Sequence, residues 1–203
     1  MPTNPPANLT LPVMLWGEGN CVGDGLAYKN FLLQTSSHGI MIIANGWVKD
    51  IPGRGKNGRD TTLNITYFTD SIDWIHKQAG KAGTKYATVN ATLLGASGHS
   101  CGGLQTIEMR SEPRVKTLAS FGYATRESLP TTTPAWWGTF PNLNHGGTFN
   151  QANGGVWAIS FAKWVLFTLK GDTAAAEYFK GTGATKDGWQ VKAKALDKVP
   201  VAH

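Results

Sequence analysis

One serine, Ser100, lies in a glycine-rich segment whose spacing suits nucleophilic catalysis. The segment is Gly98-His99-Ser100-Cys101-Gly102, which follows an apolar run and precedes a predicted helix. In a sharp strand-to-helix turn, a Cβ two residues before or after the serine would collide with the neighbouring strand or helix, and glycine removes that collision. The pattern therefore indicates a serine hydroxyl that could attack an electrophilic carbon. The alternative is a Gly/Ser loop that only turns a corner.

A serine nucleophile needs a general base, and His145 is the histidine whose position fits that role. His38 ends a predicted helix ahead of a strand, His76 lies within a helix, His99 occupies the variable position of the turn, and His203 ends the chain. His145 follows one predicted strand and precedes a helix, which predicts a place at the strand-end edge where ligands bind in α/β sheets. The alternative is an ordinary surface-loop histidine.

The elements that must position these residues alternate along the chain. Apolar runs predict strands, at 12–16, 40–45, 91–97, 115–122 and 134–140. Helical spacing and capping residues predict helices, at 26–37, from the cap Asp60 to a stop at Gly80 and Gly83, at 103–110, at 156–170 with Gly171 as its stop, and from the cap Asp172 to Lys180. This order predicts one α/β domain over 1–203 with a largely parallel sheet flanked by helices, an extended lead-in at 1–10 and a polar tail at 183–203.

The composition favours a globular domain over a nucleic-acid-binding or membrane-spanning protein. The chain has 203 residues, of which 41% are hydrophobic and 16% charged, as in an ordinary soluble globular domain. Its net charge is +6, but apart from Lys49 to Arg59 the basic residues are scattered, so we expect no nucleic-acid binding. No apolar run approaches the roughly 18 residues of a membrane span, and the start of the chain lacks a secretory-signal pattern.

The glycines at 53–58 match a dinucleotide motif without the required preceding strand.

These features resemble the α/β-hydrolase-fold serine esterases, and most of all the secreted fungal and bacterial esterases of the cutinase-like and polyester-hydrolase kind. The resemblance lies between residues 12 and 155, in PVMLWGEGNC, SHGIMIIANG, GHSCGGLQ and NHGGTFNQANGG. It implies that Ser100 attacks an ester carbonyl and that His145 takes the serine proton. It further implies an extracellular enzyme acting on small or polymeric esters without a metal or organic cofactor. We expect a monomer, and a cytoplasmic location is the alternative.

Such chemistry requires an oxyanion hole, formed by two backbone N–H groups directed at the developing negative charge. Cys101, directly after the nucleophile, is expected to supply one of them. The second is expected from the loop after the first strand, with Asn20 chosen from the range Glu18–Cys21. Two amides that serve one oxygen lie within a few ångströms of each other, which leads to the hypothesis of a disulfide between Cys21 and Cys101. Two free thiols are the alternative.

Substrate contacts are expected from aromatic residues at or just after strand ends. Trp16, Trp47 and Phe149 occupy such positions, where an apolar acyl or aromatic group would rest. For each of them, packing in the core is the alternative.

The chain between nucleophile and base is short for this family. Ser100 and His145 are 45 residues apart, whereas typical element lengths require on the order of 65 to 75 residues for the family's usual elements. One strand-helix unit is therefore expected to be missing, and in the family that strand ends in the catalytic aspartate. Glu127 is a candidate for the acid, with an exposed loop carboxylate as the alternative. A catalytically silent, hydrolase-like binding protein is accordingly the alternative function.

Overall fold

The structure, a computed structural model, describes residues 1–3, 5–6, 8–21, 23–46, 65–122 and 129–201. A parallel sheet of four strands lies at its centre, in the order β2-β1-β3-β4. The strands are β1 (Leu11–Gly17), β2 (Met41–Ala44), β3 (Val89–His99) and β4 (Thr117–Phe121). The predicted α/β class, with a parallel sheet flanked by helices, is confirmed.

The described residues contain six α-helices: α1 (Lys29–Ser37), α2 (Thr66–Gln78), α3 (Cys101–Glu108), α4 (Gly155–Lys170), α5 (Thr173–Lys180) and α6 (Gly183–Lys186). Short 3₁₀ turns lie at Gly19–Cys21, Met109–Ser111, Ala152–Gly154 and Leu196–Lys198. The predicted helices near these positions are confirmed, with bounds that differ by a few residues, and the predicted cap Asp60 lies outside the described residues. None of the helices in this part of the chain has the length and apolarity needed to cross a bilayer.

Strand β1 is buried on both faces and separates two hydrophobic clusters. Its residues Val13 and Leu15 pack in a cluster with α2, on one side of the sheet. Met14 and Trp16 pack in a second cluster with α1 and α4 on the other side. Because successive side chains of a strand point to opposite faces, the continuous apolar run of β1 serves both clusters.

The last two strands form a separate antiparallel sheet. β5 (Ala135–Thr139) pairs with β6 (Gln190–Lys194), and neither strand joins the parallel sheet. The prediction of a polar tail at 183–203 was therefore wrong, since this segment contains α6, β6 and a 3₁₀ turn. Its apolar residues Trp189, Leu196 and Val199 are buried in a third cluster with α5. They are few and lie between lysines, so the segment has a polar composition although it contributes to a core.

Helix α5 begins at a side-chain cap, as its sequence predicts. The Ala175 backbone N–H donates to Asp172 Oδ1 over 2.7 Å. We expect Asp172→Ala to lower the free energy of unfolding by about 1 kcal/mol, because a backbone donor of the first turn loses its partner. Denaturant unfolding measures the loss. Asp172→Asn is the matched control, since an asparagine can still cap the helix, and equal stabilities of the two variants would contradict the role of the cap.

Candidate functional site

Ser100 forms the junction between β3 and α3 and has a strained backbone. Its φ of 52° and ψ of −112° are a combination that residues with a side chain rarely adopt. The Ser100 N–H donates to the carbonyl oxygen of Phe121 at the end of the neighbouring strand β4, over 2.9 Å. The side chain is partly exposed. The residue therefore has the strand-to-helix turn that the sequence predicts, held by a bond to the sheet.

The glycines on both sides of Ser100 are required by close backbone contacts. A Cβ at Gly98 would overlap the backbone of Gly102 in α3. A Cβ at Gly102 would in turn overlap the backbone of Gly17, the last residue of β1. The collision expected from the sequence is confirmed, because any side chain at either position would push the helix away from the strands.

The loop after β1 is fastened to the start of α3 by two links. The Gly102 N–H donates to the Glu18 carbonyl oxygen over 3.1 Å, and Cys21 forms a disulfide with Cys101. The hypothesis of a disulfide is confirmed; its Cα atoms are 5.3 Å apart. Asn20 lies in the same tight turn with a φ of 56°. The structure thus brings together the two segments from which the oxyanion donors, Asn20 and Cys101, were predicted.

His145 lies beside Gly122 and His99, near the Ser100 turn, although the strand that precedes it is not part of the parallel sheet. The strand before it, β5, belongs to the separate antiparallel sheet. A Cβ at Gly122, next to Phe121, would nevertheless come within 2.9 Å of His145 Cε1. The ring is exposed. Among the described residues, no hydrogen bond joins it to Ser100 and no carboxylate binds it.

His99, which was not among the predicted site residues, contacts the His145 segment directly. His99 is only 5% exposed, its Nδ1 lies 2.8 Å from Tyr28 Oη, and its Nε2 lies 2.8 Å from the carbonyl oxygen of His145. The two imidazole centroids are 4.7 Å apart. Burial lowers the pKa of His99, so the ring is neutral near pH 7. Its position before the serine was the only sequence signal for it, and Tyr28 had none.

A second missed residue, Glu18, has a carboxyl group buried beneath the same loop. It is 0% exposed, and neither carboxyl oxygen has a hydrogen-bond partner among the described residues. Burial raises the pKa of Glu18 to about 8; the nearby Trp16 indole opposes this rise and the Asp24 carboxyl adds to it. The side chain is therefore protonated at neutral pH, because an unpaired charge in this position would be strongly unfavourable.

Two of the three residues predicted to contact substrate are part of the core instead. Trp16 is 0% and Phe149 1% exposed, and their ring centroids lie 5.6 Å apart in an aromatic cluster with Phe31 and Phe161. Both side chains belong to the hydrophobic core and present no surface to a ligand in this structure. Trp47 and the candidate acid Glu127 lie outside the described residues.

Ser100 with its strained backbone, the Cys21–Cys101 disulfide and the two histidines lie at the same end of the parallel sheet. The described residues contain no group of three or more His, Cys, Asp or Glu side chains that could hold a metal ion. No protein-family model matches the chain, and no curated protein is detectably similar to it. The function is therefore inferred from the geometry of the turn, the disulfide and the two histidines.

Proposed function

We propose that the protein is a serine hydrolase of shortened α/β-hydrolase type that cleaves carboxylic esters. The observation that carries the proposal is the backbone of Ser100, which is held at φ 52° and ψ −112° between a parallel strand and a helix. Such strain persists only where the surrounding structure enforces it, and it is found most often at functional sites. Ser100 is partly exposed at this junction between β3 and α3, and a nucleophile requires such access.

The proposed reaction has two steps. The Ser100 hydroxyl attacks the ester carbonyl carbon while His145 takes its proton, and the backbone N–H groups of Cys101 and Asn20 stabilise the oxyanion. His145 then returns the proton to the departing alcohol, which leaves an acyl group on Ser100. A water molecule gives a proton to His145 and attacks this acyl-enzyme, and His145 passes that proton to the leaving Ser100 oxygen as the carboxylic acid is released. The residues named complete the cycle without a cofactor.

No carboxylate among the described residues orients His145. The carboxylate that normally orients the base of a catalytic triad has no counterpart among the described residues, and losing it typically lowers turnover by about four orders of magnitude. We therefore propose slow turnover, with Glu127 retained as a candidate acid. The missing Ser100–His145 hydrogen bond favours the alternative of a catalytically silent, hydrolase-like binding protein.

The proposal also covers the oligomeric state, the substrates and the location of the enzyme. We propose that it acts as a monomer on small or polymeric carboxylic esters outside the cell. The disulfide between Cys21 and Cys101 supports an oxidising compartment, because such bonds are rare in the cytosol.

Covalent labelling of Ser100 tests the proposal. A fluorophosphonate should label the wild-type protein at Ser100, and Ser100→Ala should lose both the label and at least about 99% of the hydrolysis of short-chain p-nitrophenyl esters. Ser111→Ala is a matched control, because Ser111 is exposed in the 3₁₀ turn after α3. Equal hydrolysis by wild type and Ser100→Ala would reject Ser100 as the nucleophile. A wild-type protein that binds esters but is not labelled would support the silent binding protein.

A further inference from the structure

The segment 141–151, which carries His145, has few hydrogen bonds to the rest of the molecule. Within 141–151, the hydrogen bonds of the described residues are internal, reach back through Leu143 N–H to the Phe140 carbonyl, or reach the following turn and α4, as Thr148 Oγ1 does to the Gly154 carbonyl. The exception is the contact between His99 Nε2 and the carbonyl oxygen of His145, at 2.8 Å. No strand pairing holds the segment to the parallel sheet either, because β5 pairs with β6.

The direction of this hydrogen bond follows from the chemistry of its partners. A carbonyl oxygen can only accept, so Nε2 of His99 must carry the hydrogen. In a neutral ring Nδ1 is then an acceptor, and the Tyr28 hydroxyl donates to it over 2.8 Å. The His145 carbonyl therefore fixes the tautomer of His99, and the Tyr28 hydroxyl satisfies the ring nitrogen that is left as an acceptor.

The His99 ring occupies a slot shaped by two glycines and an aromatic ring. A Cβ at Gly19 would come within 2.7 Å of Nδ1, and a Cβ at Gly122 within 3.0 Å of Nε2. The Phe149 centroid lies 4.8 Å from the imidazole centroid. With both nitrogens bonded and the ring enclosed, His99 has little freedom to rotate.

We propose that His99 is a positioning residue that holds the base, His145, beside Ser100 through its hydrogen bond to the His145 backbone. This inference rests on the proposed function, since His145 needs positioning for catalysis only if it activates Ser100. His99 is adjacent to Ser100 in the chain, so the bond couples the base segment directly to the nucleophile turn. It supplies a link that strand pairing would provide if β5 belonged to the parallel sheet.

Two substitutions test the contacts of the two His99 ring nitrogens separately. Glutamine places its amide nitrogen at the same number of bonds from Cβ as Nε2, so His99→Gln can still donate to the His145 carbonyl. Asparagine reaches only the Nδ1 position, so His99→Asn can keep the contact with Tyr28 and loses the bond to His145. We expect His99→Asn to slow fluorophosphonate labelling of Ser100 by about 100-fold, the effect of a displacement near 1 Å, and His99→Gln to remain within about threefold of wild type.

Backbone hydrogen exchange supplies a readout that does not depend on activity. His99→Asn should increase exchange across 143–149 while leaving helix α2 unchanged, and His99→Gln should leave both unchanged. Tyr28→Phe is a milder variant that keeps the His99 ring, and it should change labelling in the same direction by a smaller factor. Exchange at α2 reports whether each variant is folded.

The results of labelling and exchange distinguish a failure of the positioning role of His99 from a failure of the proposed hydrolase function. Equal labelling of the Gln and Asn variants would overturn the positioning role, and so would faster exchange at 143–149 without slower labelling. If the wild type is not labelled, the proposed function fails and the positioning role fails with it. Unequal exchange in the two variants would then show that the hydrogen bond is present and only structural.

Discussion

Replacing Cys21 and Cys101 together with serine is expected to lower the free energy of unfolding by about 4–5 kcal/mol. The two cysteines are 80 residues apart, so their disulfide greatly restricts the unfolded chain, and the loop-entropy relation gives this value for a loop of that length. Equilibrium unfolding in guanidinium chloride, followed by tryptophan fluorescence, measures the loss. The slope of the transition shows whether the unfolded state has also expanded.

The same variant is expected to lose labelling of Ser100 under conditions where it is still folded. Without the disulfide, the Gly19–Cys21 turn is held to α3 mainly by the bond from Gly102 N–H to the Glu18 carbonyl. The predicted donors Asn20 and Cys101 would then lose their fixed separation. Wild-type protein treated with reductant is the matched control and should behave like the double variant. Unchanged stability and labelling in both samples would show that the disulfide is unimportant for the fold and the site.

Replacing Glu18 with glutamine is expected to stabilise the protein at alkaline pH by up to about 5 kcal/mol. The folded pKa of about 8 lies above the ordinary value of 4.5, so between these values the folded protein binds a proton that the unfolded chain has released. The stability of the wild type therefore falls as the pH rises through this window, at about 1.4 kcal/mol per unit, and the effect of Glu18 is constant above pH 8. Glutamine has no proton to release and removes this dependence.

Unfolding free energies of wild type and Glu18→Gln at pH 4 and at pH 9 measure the effect. The two proteins should differ little at pH 4, where the wild-type carboxyl is protonated in both states, and the variant should be more stable at pH 9. Glu108→Gln is the matched control, because Glu108 is an exposed glutamate at the end of α3. A wild-type advantage at pH 9 would mean that the Glu18 carboxylate has a compensating partner in the folded protein.

The sequence alone determined the features that depend on neighbouring residues. Apolar runs and helical spacing located the strands and helices because backbone conformation responds to local periodicity. Gly171 and Asp172 marked a helix end and a helix start, and both have those positions in the structure. The glycines around Ser100 predicted a collision between specific backbones. The prediction of a disulfide came from one functional constraint, that two amides serve a single oxygen.

Tertiary structure alone decided which distant segments pair. The strand 134–140 was predicted, but its partner is β6, from a segment predicted to be a polar tail. Nothing local distinguishes a strand that joins the parallel sheet from one that pairs elsewhere, because that choice depends on which long-range pairing buries more apolar surface. The predictions for Trp47 and Glu127 concern residues outside the described part and stay predictions.

Burial decided the roles of the remaining site residues. Trp16 lies near the end of β1 and Phe149 lies in the loop before α4, but both are buried in the cluster formed with the helices on that side of the sheet. No sequence pattern marks Glu18, and only its position before the serine marks His99. The protonation states of both follow from the low polarity of the surroundings that the fold creates. Residue type and spacing therefore identified the serine and a candidate base, whereas the contacts around them required the assembled chain, since neighbours far apart in sequence set the environment of each group.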